Sequence, residues 1–198
     1  SRSLNVPSVR MLQEYGIEKF LRFLKKSGMS TLVFPAEHYG LSIILGGGEG
    51  TLWDLAGIYA SMARTLNHFQ NYNGRYNSSD FHSPAYINNL KEELLQEIIL
   101  EEGSNLTASS IWLTFESMVE VSRPDEEVNW QSFSSLGKIA WKTGTSFGSR
   151  DGWAIGATPD YVVAVWVGNA SGEGRPGLTG IGTAGPILFD IFNLLQPK

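Results

Sequence analysis

An α+β fold is predicted by the order in which patterns follow one another along the chain. Helical periodicity dominates up to about residue 121, three strand-like runs then fall close together between about 137 and 168, and one amphipathic segment closes the chain. Strands gathered in one run, rather than alternating with helices, predict an antiparallel sheet packed with helices and not a parallel βαβ sheet. With 198 residues, 42% hydrophobic and 18% charged, the chain suits one compact domain or a large part of one.

Pro7 fits a helical first turn, and Ile17, Phe20, Leu21 and Leu24 recur at i, i+3, i+4 and i+7 until Gly28, which predicts one amphipathic helix. After the loop GGGEG, Thr51 and Asp54 make a capping-box-like start. Leu52, Leu55, Tyr59, Met62 and Leu66 then share one face of a helix running to about Asn67. Residues 67–103 read as an insertion: the Asn-, Ser- and Gly-rich stretch NHFQNYNGRYNSSDFHSP is irregular, and Leu90, Leu94 and Ile98 predict a helix over 89–101. A further helix over 107–121 places Ala108, Ile111, Trp112, Phe115, Met118 and Val119 on one face. Strands are predicted at about 137–147, 152–158 and 161–168, with Thr158-Pro159-Asp160 turning between the last two, so that they pair as antiparallel neighbours. Pro186 opens a closing helix whose Ile187, Leu188, Ile191, Phe192 and Leu195 are predicted to lie on the sheet.

Composition removes several functions. Net charge is −5 with no long run of Lys or Arg, which argues against nucleic acid or an anionic membrane surface as a partner. There is no cysteine, and His38, His68 and His82 lie far apart without ligand spacing, so neither a metal nor a cofactor is expected. No apolar run approaches the roughly 20 residues that span a bilayer. The chain opens abruptly on SRSLNVPSV, already in a structured pattern, which points to a piece of a longer protein.

The first predicted strand is chemically odd. AWKTGTS carries Lys142, Thr143, Gly144, Thr145 and Ser146 in succession, whereas a strand that only packs alternates polar and apolar residues and avoids glycine. Such a strand binds something. Together with Ser3-Leu4-Asn5 near the start, Lys142-Thr143-Gly144 gives two elements of a known motif set, a Ser-x-Asn and a Lys-Thr-Gly strand. With YGLSIILGGGEGTLWDLAGIYASMA between them and DGWAIGATPDYVVAVWVGN and GTAGPILFDIF after them, the chain resembles the transpeptidase domain of class A penicillin-binding proteins, the 1C type in particular. The resemblance spans nearly everything except the insertion.

That resemblance implies a penicillin-binding protein/serine β-lactamase-like fold, here as a partial domain, acting on peptidoglycan stem peptides and binding β-lactams. Thr143 and Thr145 would offer hydroxyls to a substrate carboxylate, the Thr145 N–H would form half of an oxyanion hole, and Lys142 would supply positive potential. Gly144 would let a peptide backbone lie on the strand. Ser3 would relay a proton to the leaving amine and Asn5 would hydrogen-bond the acyl side-chain amide; the plain alternative for both is helix N-capping ahead of Pro7. The resemblance further implies an upstream remainder, a glycosyltransferase domain and an anchor in the parent chain, with the site on the periplasmic or extracytoplasmic side of the inner membrane.

One family element is missing. The nucleophilic Ser-x-x-Lys lies ahead of Ser-x-Asn in this family, and only two residues precede Ser3. The formal match Ser135-Leu136-Gly137-Lys138 contains a glycine and runs into a strand rather than opening a helix. Two stretches from Gly172 and Gly180 fit G-x-G-x-x-G, but no second strand with an acidic ribose ligand follows, so they read as loops beside a cleft. Two readings remain: part of a serine D,D-transpeptidase whose nucleophile lies upstream, with this piece inactive by itself, or a non-catalytic module of the same fold that binds peptidoglycan or a protein. In either case exposed apolar surface is expected where an upstream core helix would pack.

Overall fold

The structure, a computed structural model, describes residues 3–86, 98–121 and 138–195. Its first helical region is two helices, α1 (Asn5–Tyr15) and α2 (Ile17–Ser27), where periodicity predicts one. Gly16 makes the break: it takes φ 94°, a value that favours glycine, and its N–H closes α1 on Leu12 O. A short α3 (Ala36–Tyr39) and a 3₁₀ turn (Gly40–Leu45) follow, and Leu12, Leu21, Leu32, Ala36, Tyr39 and Ile43 bury together as a helical core.

α4 (Leu52–Asn71) starts as predicted, with Thr51 Oγ1 accepting from Asp54 N–H at 3.0 Å, but runs past Asn67. Its most buried face also differs from prediction: Asp54, Gly57, Ser61, Met62 and Thr65 are buried, while Leu55, Tyr59 and Leu66 are only partly so. The cause is the following chain, which folds back over this side. Arg64 donates to the carbonyls of Asp80 and His82 and to Ser61 Oγ, and His68 Nδ1 lies 2.5 Å from the buried Asp80 Oδ1. A Cβ on Gly57 would come within 2.7 Å of Pro84 Cδ. At the other end Asp54 Oδ2 accepts from the N–H and hydroxyl of Ser30.

Within the stretch predicted to be irregular, β1 (Tyr76–Asn77) pairs antiparallel with β2 (Leu100–Glu101). Residues 98–101 are therefore not helical as predicted, and residues 87–97 lie outside the described residues. α5 (Ala108–Val119) buries Ala108, Ile111 and Met118 but leaves Trp112 54% exposed, contrary to its predicted place on the packed face.

The three predicted strands form one antiparallel sheet in the order β3 (Ala140–Thr145), β4 (Asp151–Ala157), β5 (Val162–Gly168). The turn between the last two closes through Thr158 N–H to Tyr161 O at 2.8 Å. Behind the sheet lies a π-helical turn (Gly180–Ala184) leading into α6 (Gly185–Leu194). Trp141 and Phe189 centre this core, ring centroids 4.9 Å apart, with Trp141 Nε1–H donating to Val121 O. Leu188 and Phe192 meet the sheet as predicted and Leu195 packs at its margin, but Ile187 and Ile191 point outward at 44% and 36% exposure. Phe189 takes their place, because the inward stripe runs 188, 189, 192, 195, one step around the helix from the predicted one. No helix among the described residues is long and apolar enough to cross a membrane.

α6 approaches so closely that a Cβ on Gly156 would lie 2.7 Å from the Phe192 ring and 3.2 Å from both Ile139 and Leu188. Gly156→Ala in a polypeptide carrying this segment is expected to cost about 1–3 kcal/mol by overpacking, read as a lower urea midpoint with unchanged slope.

Candidate functional site

Among the described residues β3 has only one neighbour in its sheet, so its other side is an open edge there. Ser146 N–H reaches Asp151 O at 3.0 Å, continuing the β3–β4 ladder. Antiparallel pairing alternates, so the backbone groups of Lys142 and Gly144 face β4 while those of Thr143 and Thr145 face the open edge. Thr143 O agrees with that direction, for it accepts from Lys142 Nζ at 2.6 Å. Side chains alternate the other way: Lys142 and Gly144 share a face with Trp153 and Ile155, and Thr143 and Thr145 share the face with Trp141.

The open edge borders a cleft of about 640 Å³. Lys142, Thr143, Gly144, Thr145 and Ser146 line it from the strand, and Ser3, Leu4, Asn5 and Ser8 line it from the start of α1. The two sequence motifs thus meet in one place. Gly46, Gly48 and Gly50 from the GGGEG loop, Leu55 and Tyr59 from α4, and Trp153 and Ile155 from β4 also line it. None of these is a site residue by sequence, where GGGEG reads as a loop ahead of α4 and Tyr59 as one of that helix's shared face.

Neither Ser3 nor Asn5 caps the helix. Leu4 is the N-cap without a side-chain bond, and the side chains of Ser3 and Asn5 make no hydrogen bond among the described residues. Thr145 is held from behind: its Oγ1 accepts from Gly180 N–H at 2.9 Å. Lys142 is half-buried and has no carboxylate partner among the described residues, and burial pulls its ammonium below the ordinary lysine value. Of the rejected Ser-x-x-Lys, Ser135 lies outside the described residues and Lys138 just precedes β3. The second glycine motif forms the π-helical turn behind Thr145. No group of acidic or histidine side chains among the described residues could hold a metal ion.

Comparison with known proteins gives a consistent family. Penicillin-binding protein 1C of Escherichia coli is 30% identical over 197 residues, covering 100% of this chain and 22% of that protein. The chain belongs with the transpeptidase domains of class A penicillin-binding proteins. Penicillin-binding protein 1A of Rickettsia prowazekii is 30% identical over 217 residues and that of Neisseria lactamica 28% over 196. The chain spans only 22% to 25% of the length of these relatives. The crystal structure of penicillin-binding protein 1A from Haemophilus influenzae superposes with a TM-score of 0.63 at 16% identity, covering 100% of this chain and 34% of that one, which establishes the α+β fold. No protein-family model matches the chain.

In this segment Gly144 has no internal reason to be glycine. Its φ is not positive, and a Cβ would meet only Trp153 Cβ at an ordinary 3.7 Å. Gly180 is the opposite case, since a Cβ there would collide with Gly144 O and lie 2.6 Å from Trp153 O. Gly144→Ala is therefore expected to leave the unfolding free energy within about 0.5 kcal/mol of wild type, whereas Gly180→Ala costs about 1–3 kcal/mol; urea titrations of both variants check the contrast.

Proposed function

We propose that this segment forms the substrate-binding half of a serine D,D-transpeptidase that crosslinks peptidoglycan stem peptides and is acylated by β-lactams. The observation that carries the reading is the meeting of Ser3-Leu4-Asn5 with Lys142-Thr143-Gly144 across one cleft bordered by an open strand edge. An extended peptide can add to that edge through the outward N–H and C=O groups of Thr143 and Thr145, over a glycine that keeps Gly144 clear. The Thr145 N–H then serves the developing oxyanion, because a fixed backbone donor needs no reorganisation as charge appears. Lys142 and the two threonines receive the carboxylate. Ser3 relays the proton to the leaving amine, and Asn5 orients the acyl side-chain amide.

The nucleophile and its lysine come from outside these residues, in the remainder of the parent transpeptidase domain. That parent also carries a glycosyltransferase domain and an anchor, and works on the periplasmic side of the inner membrane. Exposed Val6, Met11 and Tyr15 on α1 support an apolar neighbour there. No cofactor enters the scheme: the step exchanges one acyl bond for another and moves a proton.

Intact-mass spectrometry after incubation with penicillin tests the reading. Residues 1–198 alone should gain no mass, while the polypeptide extended through an upstream Ser-x-x-Lys should gain one drug per chain on that serine. An adduct on Ser3 or Ser135 in the short chain would reject the assigned roles. In the extended polypeptide Thr145→Val should slow acylation by an amount corresponding to about 1.5–3 kcal/mol, the value of a hydrogen bond to a charged group, with Thr145→Ser restoring most of it.

Lys142 gives a pH signature. Its pKa is lowered by burial, so below that value the folded protein carries the cost of a desolvated charge, and the cost is relieved as pH rises through the lowered value. Binding of a carboxylate ligand runs the other way: it is strongest while Lys142 is charged and weakens on the alkaline side, sooner than an exposed lysine would produce. A titration of ligand affinity against pH that shows the same alkaline limb in Lys142→Ala would remove Lys142 from that role.

A further inference from the structure

Of the polar side chains in the cleft that belong to neither motif, Ser8 and Ser146 have hydrogen-bond partners and Tyr59 has none among the described residues. α4 contributes Leu55 and Tyr59 to the lining, so the Tyr59 phenol is the single polar side chain that this helix places there. Its hydroxyl makes no hydrogen bond among the described residues, although tyrosine hydroxyls removed from water ordinarily find a partner. The oxygen is not sealed off either. Asp80 Oδ2 is the one side-chain polar atom among the described residues that is both enclosed and unpaired, so Tyr59 Oη is not fully enclosed, and the cavity that Tyr59 lines is the cleft. Burial raises the phenol's pKa above its ordinary value, which keeps it a neutral O–H donor.

The surroundings say what kind of group it meets. Met29, Ile44, Leu55 and Ile155 form the apolar part of the same lining, a surface suited to packed side chains. A bound peptide needs backbone partners, and those are on the β3 edge instead. A hydroxyl with no partner inside the described fold fixes the register of whatever packs against it, because leaving it unpaired is costly in any other position.

We infer that Tyr59 is a positioning residue whose hydroxyl bonds a polar group of the serine- and lysine-bearing segment that the proposed reaction brings into this cleft. The inference rests on the functional reading above. Its test uses the full-length polypeptide and Tyr59→Phe, which removes one oxygen and keeps the ring. Reaction with benzylpenicillin is resolved into the dissociation constant of the non-covalent complex and the acylation rate constant, alongside the thermal midpoint of the free protein.

The acylation rate constant should fall about tenfold while the dissociation constant and the thermal midpoint hold. An unchanged rate constant overturns the inference. So does a weaker non-covalent complex with the rate constant intact, which would put the hydroxyl on the ligand, and so does a slower reaction accompanied by a lower midpoint, which would make the hydroxyl a general prop of the fold. A wild-type polypeptide that benzylpenicillin does not acylate sinks the functional reading itself and this inference with it; a reactive wild type beside an equally reactive Tyr59→Phe sinks the inference alone.

Discussion

The seating of Gly180 against β3 is the contact on which the rest of the arrangement depends. An edge strand with one neighbour is free to twist or fray, and a binding edge that moves cannot hold donors in register. Gly180 fixes it from behind: its N–H bonds Thr145 Oγ1, and its missing side chain lets the turn lie directly on the backbone of Gly144 and Trp153. From that point the chain has only to pass through Pro186 for α6 to press Leu188, Phe189 and Phe192 onto the same face of the sheet. One face is thereby filled, and the other, with Lys142 and Gly144, is left for the cleft.

How much of this was legible in the sequence follows from how local each cause is. The Thr51–Asp54 cap, the Thr158–Asp160 turn and the three strands depend on neighbours a few residues away, and all appear where the pattern put them. The break at Gly16 was hidden because apolar spacing carries through it, while only the backbone conformation records it. The buried face of α4 was hidden for a different reason. Asp54, Ser61 and Thr65 look like solvent-facing residues until Ser30 and the chain around Asp80 and His82 supply their hydrogen bonds or cover them, and those partners lie 16 to 24 positions away in the Arg64–Asp80 and Ser30–Asp54 contacts.

The site shows the same division. The two motifs were readable as strings, and their convergence was implied only by resemblance, because 139 positions separate Ser3 from Lys142. The glycines were harder. On paper Gly144, Gly156 and Gly180 are equivalent, yet packing demands Gly156 and Gly180 and makes no demand at Gly144. A glycine in a strand interior weakens the strand. At Gly144 no internal contact requires it, and the space that this glycine borders is the cleft.

In the function proposed for Thr145, a structural bond prepares a functional one. Its sequence context suggests a hydroxyl turned to the ligand, while the structure ties that oxygen to Gly180. These are compatible, because a hydroxyl has two acceptor lone pairs and one donor hydrogen. Accepting from Gly180 N–H uses one lone pair and holds the side-chain rotamer, and the O–H remains available to donate. A threonine without that tether would sample several rotamers and lose the freedom on engaging an anion. Here the ordering has already occurred on folding, so the same contact that steadies the strand also sets the direction of its hydroxyl. The backbone of Thr145 is fixed by the ladder on either side of it, its N–H facing the open edge. A single residue thus carries two donors whose positions are set by separate parts of the fold, one by strand pairing and the other by the turn behind it.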